Sequence, residues 1–234
     1  MTILEQKKAA AQEALNYVKD GMKIGLGTGS TADLFTEALG KKVAEGLKVQ
    51  CVPTSEATRQ LAERLDIELI QLNDEPILDL TIDGADELDA QLRLIKGGGG
   101  ALLREKIVAT SSKMMIVIAD ESKKVETLGK FPLPVEVVQY GARATAFMIG
   151  TVGEWAGCTG KIELRKDDND NPFITDNGNY IIDCHFGEIN EPEKLLSGLS
   201  SIAGVVEHGL FVSIAKVAIL GTPFGPITLE ATKS

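Results

Sequence analysis

The sequence is poor in cysteine, histidine and aromatic residues. Among its 234 residues are 3 cysteines and 2 histidines, and only 5% are aromatic. Cys51, Cys158 and Cys184 are widely spaced and form no Cys-x-x-Cys pair, so neither a disulfide framework nor a cysteine-based zinc site is indicated. We expect the three thiols to be buried apolar residues. Because His185 and His208 both lie late in the chain, a histidine-bearing metal site is poorly supported.

Long apolar runs and an excess of positive charge are also missing. No run of about 18 apolar residues occurs. The first segment, MTILEQKKAAAQEAL, is amphipathic, whereas a signal peptide has a charged head followed by an apolar core. This pattern predicts a cytoplasmic protein. The 24 Lys and Arg against 34 Asp and Glu give a net charge of -10, which argues against nucleic acid or an anionic membrane as the main partner. An anionic ligand must therefore be bound by local features.

The order of apolar patterns predicts an α/β fold. Apolar residues recur at helical spacing in four segments of the first half, and short apolar runs typical of strands lie between them. The helical segments are 9–18, 32–43, 56–65 and 101–109, and the strand-like runs are 22–26, 47–52, 67–72, 78–82, 92–95 and 113–119. Strands alternating with helices imply a doubly wound, mostly parallel, Rossmann-like sheet.

The character of the chain changes after about residue 131. FPLPVEV carries two prolines, residues 142–155 have a helical pattern, and the turn signal DNGN lies between strand-like runs. A helix is predicted at 192–199 and a final strand at 216–220. We expect a Rossmann-like domain of residues 1–130 and 206–234, with a smaller α+β insert of residues 131–205.

The segment GLGTGST, residues 25–31, lies between a predicted strand and a predicted helix. Backbone N–H groups and the helix dipole favour a bound anion at such a position. A dinucleotide fingerprint needs glycine in place of Ser30, and a Walker A loop needs a Gly-Lys pair, so NAD and ATP are disfavoured. The hydroxyls of Thr28, Ser30 and Thr31 suit a terminal phosphate. The alternative is a tight turn with a Ser/Thr cap and no ligand.

Two acidic residues, Asp83 and Asp86, follow the apolar run 78–82 in the segment DGADE. Open α/β sheets bind ligands at the carboxyl ends of their strands. Clustered carboxylates raise one another's pKa and can support proton transfer to a sugar or carbonyl ligand. The alternatives are a helix N-cap followed by acidic residues in the first turn, and a magnesium site made only of oxygen ligands.

Four consecutive glycines, residues 97–100, separate a strand-like run from the helix pattern that follows. Their entropic cost indicates a backbone that passes close to a ligand or adopts positive φ. Glu105 in the first turns of that helix and Lys96 before the glycines would place a base and a cation around one small ligand. Lys123, at the end of the next strand, could reach the same edge. The alternatives are a solvated helix face for Glu105 and a solvated loop for Lys123.

Six segments occur in this order: GLGTGST, TIDGADELD, KGGGGALLREK, ADESKK, FPLPVEV and DNGNYIID. Together they resemble ribose-5-phosphate isomerase of the A type over nearly the whole chain. The resemblance implies interconversion of D-ribose 5-phosphate and D-ribulose 5-phosphate in the non-oxidative pentose phosphate pathway, without an organic cofactor or a required metal. It also implies a homo-oligomer, most often a dimer, with the insert acting as a lid or in subunit contacts.

The resemblance implies a role for each motif residue. Glu105 would be the base that moves a proton from C2 to C1 through a cis-enediolate. Asp83 and Asp86 would bind sugar hydroxyls and assist ring opening. The remaining roles are oxyanion stabilisation by Lys96, Gly97, Gly98 and Gly99, and further substrate contacts, mainly near the phosphate, by Lys7, Thr28, Gly29, Ser30, Thr31, Gly84, Ala85 and Lys123.

Two other functions are compatible with parts of the sequence. A sugar-phosphate sensor is one, because related α/β folds serve as effector domains, although no basic helix-turn-helix is appended to this chain. Acyl transfer between coenzyme A and a carboxylate is the other, since a glycine loop followed by a glutamate is also used there. The short length and the DGADE segment argue against that transferase, and coenzyme A binding would discriminate.

Overall fold

The computed structural model describes residues 1–231 and divides into two compact units. Unit 1 consists of Met1–Ala85, Arg104–Lys123 and residues 213–231, and unit 2 consists of Asp86–Leu103 and Lys124–Val212. The helices are α1 (Ile3–Ala14), α2 (Ser30–Ala44), α3 (Glu56–Arg64), α4 (Leu102–Thr110), α5 (Ala142–Trp155) and α6 (Pro192–Ser200). The strands are β1 (Lys23–Leu26), β2 (Gln50–Pro53), β3 (Leu80–Asp83), β4 (Glu87–Leu88), β5 (Leu94–Ile95), β6 (Met115–Asp120), β7 (Leu133–Val137), β8 (Lys161–Leu164), β9 (Tyr180–His185), β10 (Val205–His208), β11 (Leu210–Phe211), β12 (Ala215–Thr222) and β13 (Gly225–Glu230).

Unit 1 is organised by a six-stranded sheet of order β13-β12-β6-β3-β1-β2. Five of these strands run parallel, and β13 pairs antiparallel with β12 at one edge. Alternate strand residues face opposite sides, so Cys51 of β2 packs in the cluster that contains residues of α1, α2 and α3, while the next residue, Val52, packs with Val108 of α4. Helices on both faces of a mostly parallel sheet confirm the predicted fold class.

Unit 2 contains two antiparallel sheets. One has the order β10-β7-β9-β8 and the other the order β11-β5-β4. Helices α5 and α6 contribute Ile149 and Leu195 to a core that also contains Val135 and Ile182 from the larger sheet. The DNGN segment forms the predicted turn, in which the Gly178 N–H donates to the Thr175 carbonyl. The larger sheet and helices α5 and α6 all lie after residue 131, in agreement with the α+β character predicted there, whereas the smaller sheet includes β4 and β5 from before it.

The sequence prediction is wrong at two edges of the main sheet. Residues 67–72 were expected to form a strand, but they make only an isolated bridge between Leu69 and Cys51 before the chain turns. Their apolar side chains Ile70 and Leu72 instead pack against the cluster around Val52. Residues 216–220 were expected to be the last strand, but β13 follows them. Its side chains are mostly exposed, so it lacks the apolar pattern that signals a strand.

The three cysteines lie in the interior, as predicted. Cys51, Cys158 and Cys184 are at most 2% exposed and none forms a disulfide. Burial raises the pKa of Cys51 to about 12, with a smaller contribution from the charge of Glu68. Burial raises the pKa of Cys184 as well. Neither thiol is in its reactive thiolate form near neutral pH.

We expect all three thiols to resist Ellman's reagent at about pH 8 while the protein is folded, because each is buried and the thiolate is the reacting species. All three should react once guanidinium chloride unfolds the chain. Rapid stoichiometric labelling of one thiol in the native protein would contradict this assignment.

The core of unit 1 depends on Phe35 of α2, which is fully buried in the main cluster. We expect Phe35→Ala to lower the free energy of unfolding by about 3–5 kcal/mol, because it leaves a cavity. Phe224 is the matched control, since it is fully exposed in the turn between β12 and β13. Phe224→Ala should change the free energy of unfolding by less than about 0.5 kcal/mol in the same urea titration. Equal effects of the two substitutions would contradict the assignment.

Candidate active site

Three neighbouring parallel strands of unit 1 end at one edge of the sheet. The order β6-β3-β1 places them side by side, and their parallel direction brings their carboxyl ends to the same edge. β1 leads into the loop that carries Thr28, and β3 ends at Asp83. β6 is followed by a short 3₁₀ helix, Glu121–Lys123, which ends with one of the predicted site lysines. This edge therefore carries three of the predicted motifs.

The carboxylate of Asp83 joins the first two motifs. It is fully buried, and its Oδ1 accepts hydrogen bonds from the N–H of Thr28 (3.1 Å) and the N–H of Gly84 (2.7 Å). The chain of the first loop passes so close that a Cβ on Gly27 would lie 2.1 Å from Asp83 Oδ1. Glycine is therefore required at position 27. The loop and the acidic segment, far apart in sequence, form one structure.

The side chain of Thr28 is bound by three hydroxyls of the protein. Its Oγ1 lies 2.7 Å from Thr54 Oγ1, 2.8 Å from Ser55 Oγ and 3.1 Å from Thr58 Oγ1. The three partners are buried, and Thr58 Oγ1 also donates to the Gly27 carbonyl at 3.0 Å. Ser55 is also the N-cap of α3, where its side chain accepts from the Thr58 N–H. The structure therefore gives Thr28 the role of holding the loop.

The start of α2 presents positive charge. Gly29 is its N-cap with φ 107°, a conformation that favours glycine, and Ser30 is its first residue. The Nζ of Lys7, from α1, donates to Ser30 Oγ at 2.9 Å. Thr31 follows and is buried. The ammonium of Lys7 and the positive end of the helix dipole together suit a phosphate. No motif around Lys7 signals this position, because the contact joins two helices.

Glu105 is buried and lies on the sheet-facing side of α4. One turn later, the Val108 carbonyl accepts a hydrogen bond from Thr81 Oγ1 of β3 at 3.4 Å. α4 ends beside the amino end of β3, where Ser112 bridges to Leu78. Glu105 is three residues before Val108, on the same helix face and about 4.5 Å further toward the carboxyl edge of the sheet. Within unit 1, Glu105 thus lies closer than Val108 to the end of the sheet that carries Asp83.

Unit 2 contains the other predicted site residues. Two of them are charged, Asp86 and Lys96, and Lys96 is the more buried. Lys96 is 2% exposed, its N–H donates to the Gly209 carbonyl at 2.9 Å, and its Nζ lies 5.6 Å from the centre of the Phe211 ring. A cation over an aromatic face is stabilised electrostatically. Gly209 and Phe211 lie far along the chain, and sequence reasoning did not identify them.

The glycine loop is bound from two sides within unit 2. Asp86 Oδ2 accepts the N–H of Gly98 at 2.8 Å, and a Cβ on Gly98 would lie 2.6 Å from Asp86 Oδ1. Arg165 donates to the carbonyls of Gly97 (2.9 Å) and Gly98 (3.1 Å). Gly98 and Gly99 are exposed. The expected close approach is therefore real, although the groups nearest the loop are protein side chains. Sequence reasoning missed Arg165, which belongs to no motif.

The predicted site residues divide between the two units. Unit 1 contains Lys7, Thr28, Gly29, Ser30, Thr31, Asp83, Gly84, Ala85, Glu105 and Lys123, and unit 2 contains Asp86, Lys96, Gly97, Gly98 and Gly99. The alternative interpretation of Asp83 as a helix N-cap is wrong, since strand β4 follows it. Among residues 1–231, no group of three or more His, Cys, Asp and Glu could hold a metal ion. No helix in the same part of the chain is long and apolar enough to cross a membrane.

The hydroxyl cluster around Thr28 generates a stability prediction. Thr28→Val keeps the shape of the side chain but leaves the buried hydroxyls of Thr54, Ser55 and Thr58 without their shared partner. We expect it to lower the free energy of unfolding by about 1–3 kcal/mol in a urea titration. Thr28→Ser keeps the hydroxyl and should lose less than half as much. A valine variant as stable as the parent protein would show that the cluster contributes nothing.

Comparison with known proteins gives the same family at the level of sequence and of structure. The family model of ribose 5-phosphate isomerase A (phosphoriboisomerase A) matches residues 50–225. The ribose-5-phosphate isomerase A of Parvibaculum lavamentivorans is 59% identical over 227 residues, which cover 97% of this chain and 98% of that protein. The corresponding protein of Sinorhizobium fredii is 54% identical and covers 99% of this chain and 100% of its own length.

Solved structures extend the likeness to the fold. The ribose 5-phosphate isomerase of Plasmodium falciparum superimposes with a TM-score of 0.93 at 38% identity, covering 98% of this chain and 100% of that one. A D-ribose-5-phosphate isomerase in complex with phospho-erythronic acid gives a TM-score of 0.92 at 42% identity, with coverage of 98% and 100%. Since both comparisons cover nearly the whole chain, this protein belongs to the ribose-5-phosphate isomerase A family.

Proposed function

We propose that this protein interconverts D-ribose 5-phosphate and D-ribulose 5-phosphate, with Glu105 as the general base. The observation that carries the proposal is family membership over nearly the whole chain, together with a buried glutamate at the carboxyl end of a parallel sheet. That edge is where open α/β sheets bind ligands. The reaction moves one hydrogen between adjacent carbons and leaves the oxidation state of the whole molecule unchanged.

Proton transfer is assigned to the carboxylate of Glu105. In the open-chain aldose it removes the proton from C2, and the electron pair of that C–H bond forms a C1–C2 double bond as negative charge moves onto O1. The resulting cis-enediolate takes a proton back at C1 from Glu105, while the O2 proton passes to O1, so that O2 becomes the ketone oxygen and O1 the C1 hydroxyl. One base thus serves both transfers, and every proton is returned. Glu105 is buried, so bulk water is kept from the proton that it carries between the two carbons, which suits this role.

Hydroxyl binding and charge stabilisation are assigned to the other polar groups. Asp83 and Asp86 are proposed to bind sugar hydroxyls and to assist ring opening. Lys96 and the amides of the glycine loop, Gly97–Gly99, are proposed to stabilise the developing oxyanion. Fixed donors in a site that excludes water contribute the largest share of many rate enhancements. The Lys96 ammonium and the loop amides are donors that the folded chain already carries, so no rearrangement is needed for this role, which favours the assignment.

Phosphate binding is assigned to the start of α2. Lys7 and Ser30 are already joined there by a hydrogen bond, and Gly29 and Thr31 flank them. The ligand of one structural relative, phospho-erythronic acid, carries both a phosphate and a carboxylate, so it combines the two negative groups that this mechanism requires. Further substrate contacts are proposed for Thr28, Gly84, Ala85 and Lys123. We propose that Thr28 holds in place the loop that contacts the substrate, because its own hydroxyl is already bound by protein hydroxyls.

Three expectations from the sequence remain proposals. The first is a homodimer as the working form. The second is a smaller domain at residues 131–205 that acts as a lid or in subunit contacts. The third is activity without an organic cofactor or metal.

The deciding experiment compares the parent protein with Glu105→Gln in the conversion of ribose 5-phosphate to ribulose 5-phosphate, measured in EDTA. We expect kcat to fall by about two to four orders of magnitude, because glutamine has the shape of glutamate but cannot accept the proton. The dissociation constant for phospho-erythronic acid, measured by calorimetry, should change less than about threefold, since the base serves chemistry more than binding. Glu37→Gln is the matched control, because Glu37 is an exposed glutamate of α2, and it should leave kcat unchanged.

Other outcomes would replace the proposal. An inactive parent protein that still binds phospho-erythronic acid would support the sugar-phosphate sensor. Binding of coenzyme A instead would support acyl transfer. Activity only without EDTA would require a metal. An unchanged kcat in Glu105→Gln would keep the reaction but remove this residue from it.

A further inference from the structure

Arg165 follows β8 and contacts the glycine loop through a guanidinium that makes four hydrogen bonds. Its Nη1 donates to the carbonyl oxygens of Gly97 (2.9 Å) and Gly98 (3.1 Å). Its Nε and Nη2 donate to the two carboxylate oxygens of Asp183, at 2.8 and 2.5 Å. The side chain is 14% exposed. A planar fork with several donors can hold both partners at once, which the single ammonium of a lysine cannot do with the same geometry.

The position of Arg165 is itself fixed by two neighbours. Asp183 of β9 holds one side of the fork, and the ring centre of Phe173 lies 5.9 Å from the guanidinium carbon. The Phe173 N–H donates to the Arg165 carbonyl at 2.9 Å. The same ring covers Gly100, where a Cβ would lie 2.6 Å from it. The guanidinium is therefore part of a rigid arrangement that packs on the glycine segment.

These contacts determine the orientation of two peptide groups. The peptide between Gly97 and Gly98 is held at both ends, since its carbonyl accepts from Arg165 and its N–H donates to Asp86. The next peptide has its Gly98 carbonyl on Arg165. No peptide bond in the described part of the chain is cis, and in a trans peptide the N–H points opposite to the carbonyl. The N–H of Gly99, which is exposed, therefore points away from Arg165.

We propose that Arg165 is a positioning residue that presents the Gly99 N–H to the negative charge that develops on a substrate oxygen. This inference rests on the proposed isomerisation and assigns its amide donor. Of the three amides proposed for the oxyanion, that of Gly98 donates to Asp86, and the Gly99 N–H belongs to the peptide whose carbonyl Arg165 holds. Consecutive glycines have wide conformational freedom, and a donor stabilises charge best when it needs no reorganisation during the reaction. The guanidinium removes that freedom without contacting the substrate.

The test separates turnover from binding in Arg165→Ala and in Arg93→Ala. Arg93 is the matched control, because it is a part-buried arginine of unit 2 that pairs with Asp89 and Glu193 without contacting the glycine carbonyls. We expect Arg165→Ala to lower kcat by about 100-fold, the effect of losing one oxyanion donor, with KM changed less than about threefold. Arg93→Ala should leave kcat within about twofold of the parent. Guanidinium ion added at millimolar concentration should partly restore kcat in the Arg165 variant only.

A second measurement does not depend on catalysis. With ¹⁵N-glycine labelling, the amide exchange of Gly98 should become at least about tenfold faster in Arg165→Ala, because its hydrogen bond to Asp86 needs the fixed peptide plane. Arg93→Ala should leave that exchange unchanged. If Arg165→Ala does not fold, Arg165→Lys takes its place, with an expected loss in kcat of at least about tenfold.

The outcomes are distinguishable. A parent protein without isomerase activity defeats the proposed function. An active parent together with an Arg165 variant of normal kcat and normal Gly98 exchange overturns the positioning role. A loss of kcat that Arg93→Ala shares to the same extent also overturns it, because the effect would then be one of general stability.

Discussion

The buried carboxylate of Asp83 is the interaction on which the organisation of unit 1 depends. A carboxylate at 0% exposure costs several kcal/mol unless hydrogen bonds replace its lost water. Here backbone N–H groups of Thr28 and Gly84 supply them, and the first of these joins positions 55 residues apart. The glycine at position 27 is what allows the loop to come within reach. The hydrogen bonds that offset the cost of burying this charge form only when the loop and the acidic segment are arranged in this one way.

Unit 2 orders its glycine loop with a half-buried cation, Arg165. Arg165 is neutralised by Asp183 and spends its remaining donor on backbone carbonyls, while Asp86 takes a backbone N–H of the same loop. Both units therefore use a charged side chain to hold a glycine-rich backbone. Hydrogen bonds to charged groups are about twice as strong as neutral ones, which is enough to order segments that glycine would leave mobile.

The sequence made the main sheet predictable because buried parallel strands are continuous apolar runs. β1, β3 and β6 coincide with such runs, and α5 lies where its helical spacing predicted it. The same rule failed for β13, whose residues are mostly exposed, and for residues 67–72, whose apolar side chains cover a neighbour without extending the ladder. An apolar pattern indicates that a segment is buried. It predicts a strand correctly only where the buried segment also pairs with a neighbouring strand.

The site shows the same division between local and long-range information. The sequence alone determined the α/β class, the glycine and acidic motifs at strand ends, and Glu105 on a helix after a glycine run, since each depends on residues close together in the chain. Only the tertiary structure decided that Thr28 binds three buried hydroxyls, that Lys7 contacts Ser30 and that Arg165 holds the glycine carbonyls. These contacts join segments between 23 and 68 residues apart. No local pattern encodes them, because they arise from folding of the whole chain.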